Sequence, residues 1–559
     1  MAENLNLTCY EYLKKCVADL GDYTAAVTFK HKISMKTLMS DIDSIADYLT
    51  GCGVTAGDVV TVFLPTTVHC FAAFYAINKV GAIANIVHPL SPPEQLLETA
   101  RQTKAKVLFI LDLLAEKYSD VIEELAIPCV ICSNSDYVGN ALRPFIRIYE
   151  RKNSNMRVCR GQYCVPYRKA LEMGRGAGHS DMAHNGRKIA VYLHGGGTTG
   201  KSKTIMLSSN AINAIARKLE NLDKPHKPGS EYSLVVLPMF HAFGLAIAMH
   251  YSLTHGFTCL PVPKFSAQEC NKLIKDYPVS FIVGVPDMFR KMYEEDSFEG
   301  KHLKNLRLLF CGGDFVAEKF LEQFNDKLAE YGSEGKLFRG YGLTEASSVC
   351  CVNTYDECCP ESIGKPLEGI KIEIWDEMRR KVPANEIGEI VVSGDTLMEG
   401  YYNGDKTTLN DGVYTDASGR RWVLTGDLGY KDSKGFIFFT GRKKRMIIIS
   451  GYNVYPTDIE NTVLELDFVK EACAVQGYHK GKPLAKLCVT VVEGTDKDKA
   501  ISQINSYCKK KLSKFSCPKK IEIIDEMPRT KMAKIDFMKL CDSFPTGEIK
   551  DKPERKSNK

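Results

Sequence analysis

From Val59 onward the chain alternates short β-branched runs with helix-like segments: VVTVFLP, HCFAAFYAINKVG, AIANIVHP, SPPEQLLETARQTKA and KVLFIL succeed one another. Runs that are apolar at nearly every position suit strands buried on both faces, and parallel strands need a crossover of helical length between them. The pattern predicts βα units around mostly parallel sheet, an α/β fold. It returns at IAVYLH, SLVVLP, VSFIVGVP and LRLLFCGG. Between residues 366 and 440 the short strands IKIEIW, GEIVVSG and FIFFT are parted by turn residues, which predicts a small β-rich subdomain. A further mixed α+β segment follows Arg442 and ends near Asp542. No repeat of solenoid spacing occurs.

A chain of 559 residues exceeds what one hydrophobic core serves, so two or more domains are expected. The net charge of +6 is uneven, because the last stretch, KDKPERKSNK, holds five basic and two acidic residues. The body is therefore near neutral, which gives no nucleic-acid footprint, and the tail 546–559 reads as a basic, disordered end with at most a weak pull toward anionic lipid. The opening MAENLNLTCYEYLKKC lacks the ordered regions of a secretory signal, so a cytoplasmic location is expected, with most of the 20 cysteines reduced and buried. The pairs Cys129/Cys132 and Cys159/Cys164 have metal-ligand spacing, yet Cys129 and Cys132 lie in an apolar run that reads as a core strand, where side chains three apart point to opposite faces. Residues 234–253 carry no Asp, Glu, Lys or Arg, but Pro238, His241, Gly244 and His250 interrupt them. A buried strand, loop and short helix is expected there, not a membrane span.

The stretch HGGGTTGKSK, residues 194–203, reads two ways. Gly195, Gly200, Lys201 and Ser202 match the phosphate-binding pattern G-x-x-x-x-G-K-[ST], in which a helix begins at the lysine and aims its first N–H groups at phosphate. Here IAVYLH is a fair preceding strand, but Thr204 to Leu207 look extended, and the helix NAINAIARKLE is expected to start later, capped by Ser208 or Ser209. On these residues alone the two readings stay open, with a plain glycine turn as a third.

Seven further stretches follow the glycine loop: LPMFHAFGL (237–245), LFCGGD (309–314), GYGLTEAS (340–347), SIGKPLEG (362–369), LTGDLGYKDSKG (424–435), TGRKKRMIIISGYNVYPTDIE (440–460) and PRTKMAKID (528–536). Together with GTTGKSKT, and in this order, they resemble the adenylate-forming acyl-CoA synthetases, over nearly the whole chain. The loop then resembles that family's G-T-T-G-x-P-K-G, with Ser202 for the usual proline and Thr204 for the usual glycine. The resemblance implies an adenylation domain over 1–443, with 366–440 as its β-rich part, and a mobile C-terminal domain over 444–545.

It also implies roles. Thr198, Thr199, Gly200 and Lys203 would bind the β- and γ-phosphates of ATP, a task suited to N–H, O–H and ammonium donors. Tyr341 would lie against adenine, with Gly312 and Gly313 as a flat surface on its other side. Thr344 and Glu345 would act near the α-phosphate, Glu345 as a ligand of Mg²⁺, which favours hard oxygens and few carboxylates. Asp427 would accept from the ribose hydroxyls, with Arg442 adding a charge-assisted contact to the nucleotide. Lys534 is the counterpart of the family's late catalytic lysine, preceded here by Lys531-Met532-Ala533 where P-S-G is usual. Lys444 would be the hinge about which the C-terminal domain turns, bringing the segment at Gly451 to the thiol channel of coenzyme A.

Phe240, His241 and Phe243 would border the acyl pocket. Amino-acid-activating relatives carry an aspartate early in that segment, and none stands here. The expected reaction is therefore activation of a fatty or aromatic acid by ATP to an acyl-adenylate, then transfer to coenzyme A. An acyl-AMP ligase serving a carrier protein, or a catalytically silent binding homologue, are the alternatives.

Overall fold

The computed structural model describes residues 6–139, 142–146, 148, 162–178, 185–195, 203–222, 224–314, 316–402, 407–408, 413–449, 452–479, 482–529 and 535–541. Thr198, Thr199, Gly200, Gly451, Lys534 and the tail 546–559 lie outside them. The chain forms two compact units. One comprises residues 1–386, 390–425 and 431–438, the other 387–389, 426–430 and 439–559.

The first unit is built on two nine-stranded sheets. In one, the parallel strands Ile189–Gly195, Ile83–Ile86, Val59–Phe63, Ala105–Leu111, Cys129–Cys132 and Cys164–Pro166 lie side by side. Lys203–Ser208 and Gly400–Tyr402 extend it antiparallel on the side of Ile189–Gly195. In the other, Lys336–Leu343, Leu308–Cys311, Val279–Gly284, Tyr232–Val235, Thr258–Pro261 and Thr24–Thr28 form a parallel centre with antiparallel margins. The α/β expectation holds. Val59–Phe63 is buried at every position, and the helix Val68–Val80 that follows is buried almost all round. That helix stops at Gly81, whose φ of 78° turns the chain so that the Ala82 N–H reaches back to the Ile77 carbonyl at 3.0 Å. Phe289, Phe298, Phe324, Ile282 and Leu309 are among the residues of the core beside the second sheet.

IKIEIW, GEIVVSG and FIFFT appear as the strands Lys371–Trp375, Gly388–Ser393 and Ile437–Arg442 of a five-stranded sheet. The second unit has its own three-stranded sheet, Val469–His479, Lys482–Val491 and Lys520–Ile523, a hairpin Ile447–Ile449/Tyr452–Val454, and the helices Pro456–Leu464 and Lys497–Lys511. Ile459, Val463, Leu487, Val489 and Ile504 are fully buried in its core. Each such side chain contributes about 1.5–3 kcal/mol on leaving water, which gives this small unit a core of its own.

The uncharged stretch 234–253 is a buried strand end, a loop and a helix, and among the described residues no helix is long and apolar enough to cross a membrane. Its helical part, Phe243–Tyr251, is a π-helix, a rare form with i→i+5 bonding. Cys129 and Cys132 are fully buried in their strand, and Cys164 is disulfide-bonded, an exception to the expectation of reduced thiols. Among the described residues no three His, Cys, Asp or Glu side chains cluster as a metal site, and Cys159 lies outside them.

Candidate active site

The glycine stretch closes a hairpin. Ile189–Gly195 and Lys203–Ser208 run antiparallel, with Gly195 opposite Lys203 and His194 opposite Thr204. The helix begins only at Ser209, where the Ser208 side chain accepts from the Ala211 N–H as N-cap. A strand therefore follows the lysines, and the helix start that the G-K-[ST] reading requires is absent at Lys203.

The neck of this hairpin is tied by neutral hydrogen bonds. His194 Nε2 lies 2.7 Å from Asn85 Oδ1, and Thr204 Oγ1 lies 3.1 Å from His194 Nδ1. Asn85 Nδ2 donates to Thr61 Oγ1 at 3.0 Å, which orients the amide so that its oxygen faces the imidazole. Nε2 thus carries the proton and Nδ1 accepts from the threonine hydroxyl. Burial pushes the His194 pKa down to about 4, consistent with a neutral ring. Thr204, one of the two residues that depart from the loop pattern, supplies one side of this tie.

Lys203 leaves the neck toward a second cluster. Its Nζ lies 4.4 Å from the centre of the Tyr401 ring, and Tyr401 Oη donates to Glu345 Oε1 at 3.0 Å. Glu345 lies in the single turn Thr344–Ala346 after Lys336–Leu343, and the Met398 N–H donates to its carbonyl at 2.8 Å. The structure thus gathers Lys203 and Glu345 around one tyrosine that sequence reasoning did not single out. Asn85, His194 and Tyr401 were all missed. Asn85 alone leaves a signal, as an amide inside the apolar run AIANIVHP.

Tyr341 is half-buried in Lys336–Leu343, facing Cys351 in the neighbouring strand. Gly312 follows the adjacent strand, and a Cβ there would come within 3.0 Å of the Gly340 carbonyl oxygen. Gly313 has φ of 83°, so neither position accepts a side chain readily. Phe243 borders the same place, its ring edge 3.7 Å from where a Cβ on Gly312 would stand. Phe240 sits between two imidazoles, its ring centre 4.3 Å from His88 and 4.8 Å from His241. Gly244, the second residue of the π-helix, must be glycine because a Cβ would collide with the Pro238 carbonyl oxygen at 2.2 Å.

In the second unit Asp427 is 4% exposed, and Arg442 Nε stands 3.2 Å from its Oδ1. Glu389 accepts from the Gly426 N–H at 3.0 Å through Oε1, and Lys443 Nζ lies 3.3 Å from its Oε2. Lys443–Arg445 form one tight turn in which Lys444 is exposed. Arg445 bonds Glu460, which also accepts from the Ala474 N–H at 2.8 Å, and so ties the turn to this unit's own sheet.

Known proteins share this architecture. Residues 13–402 match the AMP-binding enzyme family and residues 458–534 the AMP-binding enzyme C-terminal domain. The chain belongs to the AMP-binding enzyme family. It is similar to a long-chain-fatty-acid–CoA ligase of Bacillus subtilis (strain 168), 29% identical over 549 residues, 95% of this chain and 93% of the relative. A protein of the same description from Escherichia coli O6:H1 is 27% identical, over 94% of this chain and 92% of its own length. The fold is shared with ATP-bound MatB from Rhodopseudomonas palustris, at a TM-score of 0.80 and 20% identity, covering 96% of this chain and 98% of that one.

Proposed function

We propose that this chain is an AMP-forming acid–thiol ligase that joins a fatty or aromatic acid to coenzyme A in the cytoplasm. In the first step a carboxylate oxygen attacks the α-phosphorus of ATP, the bond to the β-phosphate oxygen breaks, and pyrophosphate leaves. In the second the sulfur of coenzyme A attacks the acyl carbonyl, its proton passes to solvent, and AMP departs with the electrons of the acyl–oxygen bond. Such chemistry is governed by positioning and by stabilising charge.

The gathering of Lys203 and Glu345 around Tyr401 carries this reading, since it provides a cation for phosphate and a hard oxygen ligand in one place. Thr198, Thr199 and Gly200 would add loop donors, Tyr341 with Gly312 and Gly313 would take the adenine, and Asp427 with Arg442 the ribose. Thr344 and Glu345 suit Mg²⁺ held mainly by phosphate and water, which would neutralise phosphate charge. Lys534 would steady the α-phosphate from the second unit, and a swivel at Lys444 would exchange it for the segment at Gly451. Full-length similarity to ligases named for long-chain fatty acids favours a fatty acid, and the segment holding Phe240, His241 and Phe243 lacks the aspartate that would suit an amino-acid substrate.

The test is the purified chain with ATP, coenzyme A and a panel of straight-chain and aromatic acids, following AMP, pyrophosphate and acyl-CoA. Long-chain acyl-CoA with equal AMP is expected, and ADP in place of AMP would overturn the reading. Lys534→Ala should slow acid-dependent ATP–pyrophosphate exchange by ~10²-fold or more, the scale of losing one preorganised charge-stabilising donor. Unchanged exchange would remove Lys534 from the first step.

A further inference from the structure

Lys203 and Glu345 carry opposite charges and meet the same side chain from two directions. Tyr401 stands opposite Ile205 in the pairing of Gly400–Tyr402 with Lys203–Ser208. It therefore shares a sheet face with Ile205 and, diagonally, with Lys203. The ring takes the ammonium at 4.4 Å while the hydroxyl donates to Glu345 Oε1 at 3.0 Å. Backbone bonds fix both sides of this arrangement: Met398 N–H to the Glu345 carbonyl and Glu399 N–H to the Met206 carbonyl, each at 2.8 Å. The segment that presents the tyrosine is thus sewn both to the lysine's strand and to the glutamate's turn.

We infer that Tyr401 is a positioning residue that keeps Lys203 and Glu345 apart and ready for nucleotide, an inference that rests on the phosphate and metal roles proposed for those two. Lys203 is exposed, and its long flexible stem would let the ammonium swing toward the carboxylate that meets the far end of the same ring. An incoming triphosphate would then have to break an ion pair before it could bind. The aromatic face offers the cation a weaker hold that phosphate readily replaces. The hydroxyl, meanwhile, fixes the orientation of the Glu345 carboxylate without cancelling its charge. Ring and hydroxyl do separate jobs, and substitution can part them.

The experiment is calorimetric titration of the full-length protein with ATP in EDTA, for the wild type, Tyr401→Leu, Tyr401→Met, Lys203→Ala and the double variant Lys203→Ala/Tyr401→Leu. Thermal unfolding of each confirms that it is folded, and Tyr401→Met replaces Tyr401→Leu should that one fail. Losing the ring should weaken ATP by about fivefold to tenfold, the scale of a cation–aromatic contact. Lys203→Ala should weaken it by at least as much, and the double variant should be within about twofold of Lys203→Ala, because the tyrosine acts through the lysine. Tyr401→Phe keeps the ring. It should bind metal-free ATP as the wild type does, yet raise by about tenfold the Mn²⁺ concentration needed to form the protein–ATP–Mn²⁺ complex, read from the resonance of free Mn²⁺, the lower end of the scale of one charge-assisted hydrogen bond. Losses that simply add would overturn the inference while leaving the role of Lys203 intact. ATP binding unaffected by Lys203→Ala would instead overturn that role, and the inference with it.

Discussion

The neck of the glycine hairpin and the turn after Arg442 each fix a segment beside residues proposed to hold nucleotide, and they do so with opposite chemistry. At the neck His194, Asn85, Thr61 and Thr204 form a chain of neutral hydrogen bonds, Asn85 and Thr61 being fully buried. The first unit repeats the device deeper in its core, where His250 Nδ1 lies 2.8 Å from Tyr75 Oη and its Nε2 3.0 Å from Asn213 Oδ1. At the turn the partners are ions: Arg442 with Asp427 and Lys443 with Glu389, each with its cation near water, and Arg445 with Glu460, where both sides are mostly covered. Burying charge costs several kcal/mol per ion unless geometry compensates, whereas a satisfied neutral network carries no such penalty. A segment meant to stay put can therefore be neutral and dry, while one proposed to swivel keeps charges that water can take over as contacts part.

The contrast is sharpest toward acid. Burial lowers the pKa of His194 to about 4 and that of His250 to about 3, from 6.5 for a free imidazole. Below pH 6.5 the unfolded chain takes up these protons and the folded one does not, so stability is complete above that pH and falls as pH descends toward 4. At a rate of about 1.4 kcal/mol per pH unit for each ring, the two remove about 4 kcal/mol between pH 7 and pH 5. Urea unfolding of the first-unit transition at both pH values should show this loss. Half of it should vanish in a His194→Phe variant, and a pH-independent difference between variant and wild type would remove His194 from the account.

The substitution itself, made at neutral pH where the wild-type ring contributes fully, should cost somewhat less than the ~4 kcal/mol that acid removes from the wild type. Phenylalanine fills the ring's space but leaves Asn85 Oδ1 and Thr204 Oγ1 without their partner, at about 3 kcal/mol for the two groups together. Since Thr204 adjoins Lys203, KM for ATP should rise alongside. His194→Phe/Thr204→Val removes both polar ends of one bond and should regain about 1 kcal/mol in urea unfolding. A double variant less stable than the single would mean that the Thr204 hydroxyl is satisfied elsewhere.

Elements with a local cause were legible in the sequence. IAVYLH became Ile189–Gly195, the residues after the lysines proved extended, and the helix start was readable because Ser208 caps it through its own side chain. The alternation after Val59 revealed the parallel sheets because burial on both faces writes itself into every residue of a strand. The π-helix Phe243–Tyr251 was not legible, since an apolar run that is buried all round looks the same at either hydrogen-bond spacing. Of the candidate site, the order of motifs suggested which residues belong to it, but no spacing reveals what stands between them. Tyr401 lies 56 residues beyond Glu345 and reaches it because Gly400–Tyr402 pairs with Lys203–Ser208 while the Met398 N–H bonds the Glu345 carbonyl. His194 and Thr204 are within reach of any reading of the loop, yet their bond depends on Asn85 in a strand 109 residues earlier than His194.

The smallest effect is expected at the turn, with Lys443→Ala. The Lys443 side chain is 46% exposed and that of Glu389 13%, so the pair works in partial contact with water and holds a long stem in one rotamer. Measured pairs of this kind are worth about 0.2–1 kcal/mol, and Glu389 keeps its bond from the Gly426 N–H when the lysine is gone. The variant should therefore unfold within about 1 kcal/mol of the wild type at low salt and together with it near 1 M salt, where screening acts over roughly 3 Å. Contacts this weak at equilibrium would suit the swivel proposed at Lys444, which would break each of them once per turnover. A loss well above 1 kcal/mol that survives high salt would show the turn to be as firmly built as the hairpin neck, and the opposition between a neutral fixed segment and an ionic moving one would no longer stand.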